Sequence, residues 1–260
     1  MRKSIFLLLG FGMLLVMGCS KDADNDLNNK NLSVQEVKAQ MQINSATEGL
    51  DELLTDLLIS DKSASTNKNG SDCAVLSFTE KSISVAFNQC KINGDMLDGT
   101  VTLTGNNGNM EGTDGVFVVS FNAFTFNNYL LEGTKSFTFD FSVADNPVFT
   151  IVTDVSLKNA EGEIIGHKGN KVLTWHLNQL DTIEPDFSWT GAWDIVYNGT
   201  TYNFKVAEPL SGTLGCAYIT SGVLALEANG LKASLDFGQG ICDQKGTVSY
   251  PDGKTEEISW

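Results

Sequence analysis

Proline and histidine are scarce in this sequence, with four and two among 260 residues. So few prolines leave long strands uninterrupted, and so few histidines leave little for imidazole-based metal or acid–base chemistry. The Gly-x-Ser-x-Gly elbow, HExxH, the P-loop and Gly-x-Gly-x-x-Gly after a strand are all missing, which removes the common nucleophile, zinc and phosphate signatures. No catalytic residue, metal or cofactor is expected, and the chain reads as a non-enzyme. Basic residues are also few: 17 Lys and Arg stand against 32 Asp and Glu, a net charge of −15. Nucleic acid is excluded as a partner for so acidic a surface.

The apolar run Ile5 to Met17 is shorter than the roughly 20 residues needed to span a bilayer. Polar residues 20–30 follow it, so a stop-transfer helix is not expected. Basic Arg2 and Lys3 precede the run, and Gly18 and Cys19 close it, which is the layout of a signal peptide over 1–18. Val16-Met17-Gly18-Cys19 resembles the lipobox, in which cleavage occurs just before a thiol that carries diacylglycerol. Cys19 is therefore the expected lipidation site, carrying acyl groups such as palmitate. Residues 19–32 read as a polar tether. Its start, Ser20 to Asp26, resembles the Lys-then-acidic export tag of surface lipoproteins of the Bacteroidota. An EF-hand over Asp22, Asp24 and Asp26 fails, because Leu27 replaces the turn glycine and Ser33 the bidentate glutamate. Removing 1–18 takes two basic residues and no acidic one, leaving a net charge of −17, which serves solubility.

With Cys19 assigned to lipid, four cysteines remain in an oxidising compartment, and four can pair in three ways. Cys216 and Cys242 have their midpoint on Asn229-Gly230, a strong hairpin signal. Cys73 and Cys90 centre between Lys81 and Ser82, in the polar break between two apolar runs. Disulfides Cys73–Cys90 and Cys216–Cys242 are expected, each clasping the open end of a hairpin and contributing roughly 3 kcal/mol.

Ser33-Val-Gln-Glu36 has the form of a capping box, and apolar residues follow at spacings of three and four through Leu57. An amphipathic helical segment over 33–59 follows, kinked near 43–49, and then a polar linker over 60–72. From Cys73 the period changes to two, as in Phe117/Val119/Phe121 and Phe137/Phe139/Phe141/Val143. Turn signals recur at Asn93-Gly94, Asp98-Gly99, Asp114-Gly115, Glu132-Gly133, Glu161-Gly162, Asn198-Gly199, Asn229-Gly230 and Asp252-Gly253. The domain 73–260 is accordingly expected to be all-β: an antiparallel meander of about a dozen strands, forming a sandwich or an open, curled barrel-like sheet. A transmembrane barrel ending on Trp260 is disfavoured, because Glu256, Lys254 and Asp252 would face lipid.

The two cysteine hairpins also resemble each other, Ser82 to Cys90 beside Lys232 to Cys242, each running strand, Phe, a short break, then Cys. Glycines 238 and 240 suit a bulge there. Cys73 to Gly99, Leu131-Glu-Gly-Thr-Lys135, Thr174-Trp175, Cys216 to Gly222 and Asp236 to Asp243 together resemble outer-membrane and cell-surface lipoproteins of the Bacteroidota with an N-terminal helix and Cys-containing β-hairpins. The resemblance covers most of the chain after Cys19. Asn88 stands where that family has a glycine. What the resemblance implies is a location and a fold, and it transfers no catalytic residue.

Three groups of side chains are candidates for a site. Both histidines, His167 and His176, read as surface residues, with His176 on the polar face. Asp181, Glu184, Asp186, Asp194, Glu208 and Asp236 could supply the carboxylate pair of a polysaccharide hydrolase, the alternative to a non-enzymatic role. The third group is an aromatic stripe, Phe187, Trp189, Trp193 and Tyr197, sharing odd parity with Ile195 on one strand. Such rings serve as platforms for sugars, yet burial tendencies favour the core. The expected function is a membrane-anchored envelope lipoprotein that binds a ligand or builds structure, with a glycan or an envelope protein as partner. It would sit at the outer membrane, on the cell surface or the periplasmic face.

Overall fold

The alternation of apolar and polar residues becomes a single sheet of thirteen strands. The computed structural model describes residues 32–41, 43, 51, 73–92, 95–105, 114–143, 145–177, 186–213, 216 and 218–259. The signal segment, Cys19, the tether before Leu32, most of 42–59, the linker, Asn93-Gly94, Asp181, Glu184 and Trp260 lie outside them. In chain order the strands are β1 (Ala74–Phe78), β2 (Ser82–Ile92), β3 (Asp95–Gly105), β4 (Asp114–Phe126), β5 (Tyr129–Asp140), β6 (Val148–Lys158), β7 (Ile164–His176), β8 (Asp186–Tyr197), β9 (Thr200–Thr213), β10 (Ser221–Ala228), β11 (Leu231–Gln239), β12 (Lys245–Ser249) and β13 (Thr255–Ser259). Each pairs antiparallel with its neighbours in sequence, and the sheet is not closed into a barrel. Of the two arrangements expected, the open sheet is the one formed.

Burial follows parity. In β6, Phe149, Ile151, Thr153, Val155 and Leu157 are buried while Val152, Asp154 and Lys158 are exposed. The inward residues of β2 to β13 join one continuous core. Leu32, Val37 and Met41 of the N-terminal segment share that core, and a sheet this broad must also curl to exclude water from the rest of the face. Bulges supply the bend, with register shifts in β2, β3, β4, β8, β9 and β10.

Residues 34–41 form the helix α1, and its start is the capping box. Glu36 N–H donates to Ser33 Oγ at 3.2 Å, while Ser33 N–H donates to Glu36 Oε2 at 2.9 Å. Val37 and Met41, one turn apart, enter the same core as the sheet. The helix is thus amphipathic and packs on the inner face.

Tight turns fall where paired positive φ is affordable. Asn198-Gly199 (φ 50° and 76°) and Asn229-Gly230 (52° and 77°) make two-residue hairpins, and so does Asn127-Asn128 (50° and 68°) without any glycine. Three expected turns are instead strand interior. Asp98-Gly99 is a bulge in β3, and Asp114-Gly115 and Glu132-Gly133 lie within β4 and β5. Gly115 is there because the ring of Phe139 covers it: an added Cβ would lie 2.6 Å from Phe139 Cε1. Val143, expected to continue the strand of Phe137, Phe139 and Phe141, is 57 % exposed and, like Phe141, lies beyond the end of β5 at Asp140.

The cysteines pair as the turn centres imply. Cys73 lies opposite Cys90 with Cα atoms 5.3 Å apart, and Cys216 opposite Cys242 at 5.7 Å. The β1–β2 register, Phe78↔Ile83, centres the first turn between Glu80 and Lys81, one residue before the cysteine midpoint. The bulge at Asn88-Gln89 absorbs that offset, with Gln89 at φ 49°. In the second hairpin Gly238 (φ 94°) and Gly240 (φ 93°) do the corresponding bending.

Candidate functional site

The inner face is apolar except across its middle, where cross-strand rows bring charged and polar side chains together. One row runs Lys135 (β5), Thr153 (β6), Gly169 (β7), Trp193 (β8), Phe204 (β9). On one side of it lies the row Gly133, Val155, His167, Ile195, and on the other Phe137, Ile151, Lys171, Gly191. Lys135, Thr153, His167 and Lys171 are all buried. A polar residue in the apolar phase of a strand costs several kcal/mol unless partnered, so each needs an account.

Lys135 forms an ion pair with Asp51 of the N-terminal segment, and both side chains are nearly inaccessible. Lys171 lies against indole faces, its Nζ 4.2 Å from the Trp193 ring centroid and 5.3 Å from that of Trp189. That is a cation–π sandwich, most valuable where water is excluded. Trp193 in turn stacks on Phe204, with centroids 5.5 Å apart and planes 5° apart. Gly169 makes this possible, since an added Cβ would meet Trp193 Cα at 2.4 Å.

His167 does not sit on the surface as expected; it is 2 % exposed, because it shares the inward phase of Ile165 and Lys171. Burial, then the positive charges of Lys171 and Lys135, hold it well below the ordinary value of 6.5, so the ring is neutral. Neither ring nitrogen has a hydrogen-bond partner among the described residues. The folded state therefore refuses a proton that the unfolded chain takes up below about pH 6.5. Stability is independent of this group above that value and falls as the pH drops beneath it, by at most about 1.4 kcal/mol per pH unit. Urea unfolding at about pH 7 and about pH 5 should show this loss, and His167→Leu should remove its part of it. A loss that is identical in His167→Leu would assign it to the carboxylates instead. His176, by contrast, faces outward with Nδ1 2.9 Å from Asn146 Oδ1.

Beside this band is a recess of about 420 Å³, open mouth included, lined by Asp51, Ile151, Lys171, Leu173, Trp175, Phe187 and Trp189. Trp175 and Phe187 meet edge to face at 5.3 Å, and Phe187 tilts 43° against Trp189 at 6.0 Å. The structure thus divides the aromatic stripe. Trp193 is core at 2 % exposure, Phe187, Trp189 and Tyr197 are half-buried against that core, and Phe187 and Trp189 also wall the recess. Among the described candidate carboxylates, Glu208 of β9 and Asp236 of β11 flank Val223 of β10 in one cross-strand row. Asp186 and Asp194 have the outward parity of β8, Glu208 and Asp236 are exposed, and Asp194 accepts a hydrogen bond from Asn203. No group of three or more metal-binding side chains occurs among the described residues.

Sequence reasoning missed Asp51, Lys135, Thr153 and Lys171. Lys135 and Lys171 carried a usable signal, since they share phase with Phe137 and Leu173 and so were bound to point inward. No known protein family, curated protein or solved structure matches this chain.

Proposed function

We propose that the chain is a lipid-anchored, non-enzymatic binding protein of the bacterial cell envelope, akin to the Bacteroidota lipoproteins it resembles. The observation that carries the reading is the N-terminal order: Arg2 and Lys3, the apolar run to Met17, Gly18, then Cys19. Pairing of the other four cysteines supports an oxidising compartment and leaves Cys19 as the odd thiol. A recess with aromatic walls and few polar groups supports binding, as small-molecule sites have this character. The acyl chains on Cys19 hold the protein at the outer membrane, and the acidic surface keeps the domain soluble beside it.

Growth of cells with an alkynyl palmitate analogue should label the wild-type protein, and Cys19→Ser should abolish the label and move the protein from the detergent to the aqueous phase. Labelling that survives Cys19→Ser would defeat the anchoring. Protease added to intact cells then separates a surface from a periplasmic orientation, and removal of the domain is the outcome the Ser20–Asp26 tag implies.

A further inference from the structure

We infer that the free edge of β1 is a dimerisation surface, which takes a second copy of this chain edge to edge about a two-fold axis through Leu76, perpendicular to the sheet. It rests on neither the anchoring nor the recess. An open sheet has two edge strands, here β1 and β13. Natural edges are blunted by charge, including charged residues turned toward the inner face. β13 follows that rule. Its Glu256 has the inward parity of buried Ile258, and Glu257 stands next to it with the opposite parity. β1, Ala-Val-Leu-Ser-Phe, has no charge at all.

The bonds just outside β1 fix which way its backbone points. Asn88 N–H donates to Cys73 C=O at 2.8 Å, and Thr79 N–H donates to Ser82 C=O at 2.9 Å. Odd residues of β1 thus bond to β2. By the alternation of an antiparallel ladder, the N–H and C=O of Ala74, Leu76 and Phe78 point to the open side. No other described strand pairs with them. The same three residues have the inward side-chain phase, since they lie opposite Phe87, Val85 and Ile83. Ile83 is buried, yet Phe78 is 48 % exposed, so the apolar inner face ends uncovered at this edge. The Cys73–Cys90 disulfide holds one end of the strand. At the other, Thr79 Oγ1 accepts from Lys81 N–H and Ser82 N–H. The edge is therefore pre-formed for a partner.

The sequence of β1 suits its own copy. With the axis on Leu76, Ala74 pairs with Phe78 of the second copy, Leu76 with its own equivalent, and Phe78 with Ala74. These are hydrogen-bonded pairs, each exchanging two bonds, so every open-side N–H and C=O of the strand is used. On the inner face each Phe78 ring meets a small alanine, and on the outer face Val75 meets Ser77. No like charges face each other. A matching axis through the middle of β13 would set Glu257 against Glu257, a repulsive pair. Five residues a side make a small interface, of the weak and transient class. Two chains of net charge −15 also repel, so association tightens as salt rises.

The test is analytical ultracentrifugation of the full chain carrying Cys19→Ser, which leaves it unacylated. A monomer–dimer equilibrium is expected between about 10 µM and 1 mM, shifted toward dimer when NaCl is raised from about 0.05 to 0.5 M. Val75 and Ser77 are exposed, so Val75→Lys/Ser77→Lys leaves the monomer undisturbed while placing two Lys–Lys pairs across the axis. It should weaken the dimer about tenfold, and Val75→Glu/Ser77→Glu should do the same. An equimolar mixture of the two variants should restore association as a heterodimer, because Lys then meets Glu at both positions; that recovery also shows both variants to be folded. A wild type that stays monomeric to about 1 mM, growth past the dimer, variants that associate like the wild type, or a mixture that fails to recover would overturn the proposal.

Discussion

Lys135→Met is expected to lower the free energy of unfolding by about 3–5 kcal/mol, the range found when one partner of a buried ion pair is removed. Both side chains of the Lys135–Asp51 pair are almost wholly shielded from water. Methionine restores the volume of the lysine stem, so little of the loss comes from a cavity. What remains is a carboxylate held in the protein interior without its ammonium partner, and that desolvation is the expensive part. The double variant Lys135→Met/Asp51→Leu removes both charges and should recover most of the loss, since an apolar pair of similar volume is often neutral or better. Urea unfolding of the two variants checks this. A single variant that costs less than about 1 kcal/mol would mean that the ion pair forms no part of the folded core. The pair also joins the N-terminal segment to β5 across 84 residues of sequence. Loosening it should expose the recess that Asp51 lines.

The thirteen-strand order was legible because period-two alternation and Asn-Gly turns are local signals, and a meander asks for nothing more. The disulfide partners were legible for the same reason, since each pair straddles its own turn. The single-sheet outcome was not, because a sandwich and a coiled open sheet present the same alternation and differ only in how bulges accumulate. The site was half legible. Phe187, Trp189 and Trp193 stood out by parity, but whether a ring is core or wall depends on its neighbours across β7 and β9. Gly169 shows how. Its missing side chain lets Trp193 lie down beneath Lys171, whereas Trp189, two rows away, is left lining open space. Lys135 and Lys171 went unnoticed because a lone lysine among alternating residues reads as a face-outward exception until its phase is counted.

The two Glu-Gly dipeptides make the limit of local reading measurable. Glu161-Gly162 is a turn between β6 and β7, and Glu132-Gly133 is in the middle of β5. Both glycines have positive φ, 87° and 114°. At Gly162 an added Cβ meets nothing within 4 Å, so Gly162→Ala carries only the cost of the backbone conformation, about 1 kcal/mol. At Gly133 the same carbon would lie 2.3 Å from the carbonyl oxygen of Asp154 and 2.9 Å from Val155 Cα, both backbone atoms of β6. Neither can rotate away as a side chain would. Relief requires β5 and β6 to separate along a ladder paired without a register shift from Leu130↔Lys158 to Asp140↔Val148. Strain and overpacking together put Gly133→Ala at about 4 kcal/mol. The difference between the two variants, read by urea unfolding, isolates the interstrand contact from the shared φ effect. Equal losses would mean that β5 and β6 have room at Gly133. A large excess at Gly133 would place the constraint in the approach of the two strands, one inward position before Lys135 turns toward Asp51.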